Sequence, residues 1–384
     1  MQRRTLLKVL ASGAVMLHSP TLFAAQQTDK KKSLKRVIWI IQRGAVDSLH
    51  TVIPAFEKNL TLLRPNLMSG LDGAFALENQ YKLHPSLYNL HDLFKRKELS
   101  CVVATSTGYK GRSHFDGQDY LESGLASANL QSGWLGRAMD VLGTEGIAIS
   151  KTTPLAFRNS LRGSNFYPSN FTSSMDGLID DLTALYQYDE KLEKALSAGK
   201  EIKDALMSDN KSRHQVSFSK LCGECADIMK SKSNIQFIML ESGGWDTHKA
   251  QNSKLSRELG QLDSGIAQLK KGLGSDWENT LVLVTSEFGR TVRENGTGGT
   301  DHGTAGSMFI AGGSHLGGFV HGRWPGISEN KLFENRDLLP TTNTLSWIAT
   351  ALKQHLELSS SQLNYIFPNH SPYEHRLFDE HTVS

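Results

Sequence analysis

The stretch that decides the fold is TLVLVTSEFGR (280–290), followed closely by TGGTDHGTAG (297–306). Four apolar residues in succession, Leu281 to Val284, flanked by threonines and with no polar alternation, read as a strand buried on both faces. The run ends in an exposed acid, Glu287, and a Gly-rich loop then brings Asp301 and His302 before a second apolar run, SMFIAGG (307–313). In open α/β sheets, ligands bind beyond the carboxyl ends of the strands. An acid there, joined by Asp and His from the next loop, points to a polar or metal site. A helix-capping acid and a surface-loop histidine account for the segment equally well.

Working outward, the same pattern recurs. RVIWIIQRG (36–44), LSCVVATST (99–107), GIAIS (146–150), TPLAF (153–157) and SNIQFIMLES (233–242) read as further strands. Between them, LHPSLYNLHDLFKRKE (83–98), SHFDGQDYLESG (113–124) and KLSRELGQLDSGIAQLKKGLG (254–274) carry helical spacing. Ser113 is a good N-cap and the acids that follow suit a first helical turn. This alternation predicts an α/β fold, a mostly parallel doubly wound sheet flanked by helices. Residues 158–232 are more polar and then charged and helical, and read as a mainly helical insertion or lid.

The N-terminus bears on location. MQRRTLLKVLASGAVMLHSPTLFAA (1–25) has a basic start, an apolar stretch and small residues at Ala24 and Ala25, the form of an export signal. Arg3-Arg4 resembles the twin-arginine signal, which implies the export machinery as a partner and a periplasmic or secreted mature chain, 26–384. The apolar stretch is broken by Gly13, His18 and Pro20, and a spanning helix needs about 20 apolar residues, so no stable membrane span is expected. The net charge of +3 is small for 384 residues, and no Lys/Arg face suggests nucleic acid. Cys222 and Cys225 lie in a helical pattern, as packed thiols, a local disulfide or a redox pair, while Cys101 reads as core.

Three strand ends carry acids. The first leads to Asp47, the strand ending at Ser242 leads to GGWDTH with Asp246 and His248, and the third delivers Glu287. Carboxylates gathered this way repel one another unless a cation or buried protons compensate. Mixed carboxylate and imidazole suits Zn²⁺ or Mn²⁺, whereas carboxylate alone suits Mg²⁺ or Ca²⁺.

Asp47, RSHFDGQDYLESG, SGWLGR, GGWDTH, SEFGR and GGTDHG together resemble a family of exported bacterial proteins, a domain of unknown function placed with the alkaline phosphatase/sulfatase-like superfamily. The resemblance covers nearly the whole mature chain. It implies metal ligation by Asp47, Asp246, His248 and His302, with Asp301 beside them. It puts Ser113 at the nucleophile position, with His114 and Asp116 adjacent. The superfamily's Asp-His after the later strand is altered here to Glu287-Phe288, which removes one imidazole and leaves one ion, two, or a lost centre. The implied activity is hydrolysis or transfer at a phosphate or similar ester of an anionic small molecule or polymer. A metal on Asp246, His248 and His302 would polarise the ester, a second cation would lie between Asp47 and Glu287, and Arg112 and Arg290 would clamp anionic oxygens. A non-catalytic descendant that binds a ligand or partner is the competing implication. No Cys-x-Pro-x-Arg occurs, so a formylglycine nucleophile is not expected.

Overall fold

A computed structural model of the chain describes residues 34–127, 129–167, 216–232 and 234–378, with isolated positions between 183 and 197. The signal segment 1–25 and most of 168–215 lie outside the described residues. All elements named below belong to the unit Lys35–Ser384.

The sheet strands are β1 (Arg36–Gln42), β2 (Leu99–Ser106), β3 (Glu145–Ile149), β4 (Gly163–Phe166), β5 (Ile235–Ser242), β6 (Thr280–Ser286), β7 (Gly306–Gly312), β8 (Val320–His321) and β9 (Thr342–Asn343). Their spatial order is β8-β2-β7-β6-β1-β5-β3-β4, with β9 paired beside β2. β1 is central and parallel to both neighbours, Trp39 standing opposite Met239 and Leu283. β7 runs antiparallel to β2 and β6; the other pairings are parallel. The expected mostly parallel α/β sheet is therefore the observed one.

Alternate side chains of the central strands serve two cores. Ile38, Ile40, Ile238, Leu240, Val282 and Val284 face one side, and Val37, Trp39, Phe237, Met239, Leu281 and Leu283 the other. Helices α1 (Tyr88–Lys95), α4 (Phe218–Ser231) and α5 (Gln251–Leu273) cover the first side. The second is covered by α2 (His114–Ser123), α3 (Trp134–Leu142), α6 (Thr344–Leu356) and α7 (Ser360–Ile366). Fully burying each of these side chains contributes about 1.5–3 kcal/mol. A strand flanked by helices on both faces has no solvent side, which is why its sequence shows no alternation.

Several details differ from the sequence expectation. TPLAF (153–157) is not a strand: Leu155–Phe157 forms a 3₁₀ turn whose three residues are buried. Apolar periodicity alone does not separate a short buried strand from a short buried turn. The strand after it is the polar GSNF of β4, an edge strand without the apolar signal. At its two ends, the 158–232 region thus contributes β4 to the sheet and α4 to the core. Cys101, Cys222 and Cys225 are free and buried, and burial pushes all three thiols up, away from the reactive thiolate. No helix among the described residues is long and apolar enough to cross a membrane.

Topology positions the site. The carboxyl ends of β1, β2, β5 and β6 lie at one edge of the sheet. Antiparallel β7 starts at that same edge, so the loop before it arrives there too.

Candidate metal centre

Four loops meet at this edge. β2 leads to Ser113, whose hydroxyl accepts from the Asp116 N–H and caps α2, while Gly124 closes the helix with φ +66°. The cap sets the helix start and so presents His114 in the first turn. β5 leads to Asp246 and His248. The β6–β7 connection folds back as an irregular hairpin in which Arg290 pairs with His302 and the Thr291 N–H donates to the Asp301 carbonyl. This hairpin returns His302 to the strand end that carries Glu287. After β1, Gly44 takes φ +121°, and a Cβ there would stand 2.6 Å from the Asp246 backbone nitrogen. Only glycine lets the two loops approach so closely.

His114, Asp246 and His302 each offer a ligand atom within 4.8 Å of the others. His248 Nε2 lies beside two of them, 3.0 Å from His302 Nε2 and 3.1 Å from Asp246 Oδ1. His302 Nε2 lies 3.2 Å from Asp246 Oδ1, and His114 Nε2 lies 3.6 Å from Asp246 Oδ2. Behind each ring sits an acceptor. His114 Nδ1 meets Glu287 Oε1 at 2.8 Å, His248 Nδ1 meets Asp301 Oδ1 at 3.2 Å, and His302 Nδ1 meets the Arg112 carbonyl at 2.8 Å. A carbonyl only accepts, so Nδ1 of His302 carries the proton and its neutral ring turns a lone pair inward at Nε2. The two carboxylates favour a proton on Nδ1 of His114 and His248 in the same way, which leaves Nε2 of each neutral ring as the atom that faces Asp246. Buried His114 Nε2 has no hydrogen-bond partner at all.

His114, Asp246 and His302 fit the ligands of one metal ion, with His248 beside two of them. Ligand atoms held about 2.0–2.1 Å from a tetrahedral ion stand about 3.3–3.4 Å apart. The three imidazole Nε2 atoms stand 3.1 to 3.6 Å from one or other Asp246 oxygen, close to that value. Outward Nδ1–H bonds to carboxylate or carbonyl are the usual support of metal-bound imidazoles.

The electrostatics follow from these contacts. The Glu287 hydrogen bond raises the His114 pKa against the opposing effect of burial. Burial lowers that of His302. Burial acts to raise Asp246, but hydrogen bonding and charge from Arg290 hold it below the ordinary carboxylate value.

The remaining expected residues have other partners. Glu287 is buried, 1% exposed, rather than the exposed acid expected of a strand end. It accepts from the Gly44 N–H, His114, Gln118 and the Ser286 hydroxyl. Asp301 orients His248 and also accepts from Asn295. The guanidinium of Arg112 sits on Asp337 and Glu334, and that of Arg290 on Asp246 and Thr300, so both expected anion clamps face protein groups. Phe288 stacks on His114 with centroids 5.1 Å apart and walls one side of the cluster. Asp47 is drawn into a buried ion pair with Arg64, 2.7 Å apart, instead of the cluster. Sequence reading missed Arg64, Gln251 and Asp337. None carries a motif, and only the folded chain shows Asp47 buried and in need of a partner.

The fold and site define the class: an α/β protein with a histidine–aspartate centre at the carboxyl edge of its sheet. The chain belongs to the family described as protein of unknown function, DUF1501, whose model matches residues 108–366. No curated protein matches it in sequence. Among solved structures it is similar to Ps i-CgsB crystallised with k-i-k-neocarrahexaose, at 12% identity over 88% of this chain and 77% of that one, TM-score 0.43. It is also similar to alkaline phosphatase from the Antarctic bacterium TAB5, at 15% identity over 88% and 99%, TM-score 0.40. A third is the C-terminal periplasmic domain of EcEptC from Escherichia coli, in complex with Zn, at 10% identity over 74% of each chain, TM-score 0.38.

Proposed function

We propose that this chain is an exported, metal-dependent hydrolase or transferase acting on a phosphate or similar anionic ester. The observation that carries the reading is the convergence of three imidazole Nε2 atoms on Asp246, each ring held from behind through Nδ1. Nitrogen-rich donors favour Zn²⁺, then Mn²⁺, over Mg²⁺ or Ca²⁺. An ion bound there supplies Lewis acidity toward an anionic ester oxygen.

The chain's own groups do the rest. Glu287, Asp301 and the Arg112 carbonyl fix the tautomers and aim the rings. Arg290 holds Asp246 ionised and oriented. Phe288 keeps water from one flank. The first N–H groups of α2, beside His114, favour an anion at the helix N-terminus. Ser113, at that same helix start, is the candidate nucleophile, with His114 and Asp116 next to it. The Arg3-Arg4 signal supports transport by the twin-arginine machinery to the periplasm or beyond, a route that lets a protein fold and load metal before export.

A second reading has its own support. With Arg112 and Arg290 engaged by carboxylates, a centre that binds a ligand or partner without turnover uses the same geometry. The test is elemental mass spectrometry of the purified mature protein after reloading with zinc or manganese, beside His302→Ala. The wild type should retain ion and the variant lose it; an ion-free wild type sinks the proposal. A loaded protein that cleaves aryl phosphates or sulfates is the hydrolase, and one inert to the whole panel is the binding protein.

A further inference from the structure

The second cation position implied by the resemblance, between Asp47 and Glu287, does not fit a metal ion. Asp47 is 0% exposed; Oδ1 accepts the Leu49 N–H at 3.1 Å, and Oδ2 accepts Arg64 Nη1 at 2.7 Å and Gln251 Nε2 at 2.5 Å. Arg64, also 0% exposed, is pinned from two further directions. Its Nε donates to the Val292 carbonyl at 2.7 Å and its Nη2 to the Thr291 carbonyl at 2.5 Å. On the other side, both oxygens of Glu287 accept from protein donors. The carboxylates on which a second ion would depend are already supplied with hydrogens. A guanidinium stays protonated at any accessible pH, so it does not vacate the place for a cation as a lysine can.

We propose that Arg64 is the resident cation of this half of the site, and that the protein holds one metal ion, at the Asp246–His302 cluster. This deepens the metal-centre reading and rests on it. Gln251 links the halves. Its Nε2 donates to Asp47, while its Oε1 accepts the hydroxyls of Thr247 and Thr300 at 2.9 and 2.7 Å. Thr247 lies between Asp246 and His248, and Thr300 precedes Asp301. The Asp47–Arg64 pair thus braces the ligand-bearing loops without entering the ligand set.

The experiment is zinc titration of the metal-stripped mature protein, with bound ion counted by elemental mass spectrometry at saturation. A parallel titration uses the double variant Asp47→Asn/Arg64→Met, which removes both buried charges together and keeps side-chain size. The expected result is one zinc per chain in both proteins. Two ions per chain in the wild type overturn the inference and leave the metal-centre reading standing, whereas no ion overturns that reading itself. Lost bracing raises the zinc concentration needed without changing the count, so a double variant with wild-type circular dichroism that holds no zinc even at saturation assigns Asp47 to the ligands and also overturns the inference. If the double variant does not fold, the wild-type count decides alone.

Discussion

Two pockets lie side by side at the carboxyl edge of the sheet, and both gather a carboxylate and histidines. Around Asp246, acceptors face acceptors: three ring nitrogens and a carboxylate, half-open to solvent, with one guanidinium contact from Arg290. Around Asp47, the carboxylate faces a guanidinium and an amide, sealed from solvent, with His50 and His84 buried beside it. The first arrangement leaves His114 Nε2 without a hydrogen-bond partner, and the second is satisfied as it stands. The motif types are the same; what separates the pockets is whether a donor reaches in from elsewhere in the chain.

The largest effect should come from breaking the sealed pair. Arg64→Ala leaves Asp47 buried and unpaired, which should cost about 3–5 kcal/mol, read by denaturant unfolding. A loss below about 1 kcal/mol, the range of exposed ion pairs, would mean that the pocket opens to water. Burial acts to raise the Asp47 pKa, but the charge of Arg64 and the hydrogen bonds from Arg64 and Gln251 hold it below its ordinary value, so the carboxylate is ionised in the wild type at neutral pH.

Acid should act on the same pocket next. Burial pushes His50 down to about 4 and His84 to about 3, from an ordinary 6.5. Between the folded and unfolded values the unfolded chain binds the extra proton. Stability therefore rises with pH across that window and is lost as pH falls below 6.5. Each ring should remove about 1.4 kcal/mol per pH unit once well below the unfolded pKa. Thermal unfolding at pH 7 and pH 5 measures this; equal midpoints would contradict rings that are neutral in the fold.

The open cluster should respond to its supports more gently. Asp301→Asn keeps the shape but weakens the hold on His248 Nδ1, and should lower zinc affinity about 10–100-fold with little change in unfolding of the metal-free protein. An unchanged affinity would remove His248, or its orientation, from the centre.

Particular residues show how far sequence carries. Ser113 and Gly124 mark the two ends of α2 as expected, because caps are satisfied within a few residues. The strands through Trp39, Met239 and Leu283 are legible because burial on both faces removes alternation. Asp246, His248, Asp301 and His302 are legible as candidates because acids and histidines in Gly-rich loops at strand ends have few structural duties. Leu155–Phe157 is misread because three buried residues fit a turn as well as a strand. Glu287 is legible as a site residue but not as a buried one, since its burial depends on Gly44, Gln118 and His114 arriving from other elements.

By itself the sequence determined the αβ alternation, the mostly parallel core, and which loops bring acids and histidines to the strand ends, because these follow from local periodicity and from capping. Tertiary structure alone decided that β7 runs antiparallel and so returns His302 to the strand ends. It also decided that Arg64 meets Asp47. A charge's partner is chosen by what stands within hydrogen-bonding distance after folding, and spacing along the chain carries no record of that distance.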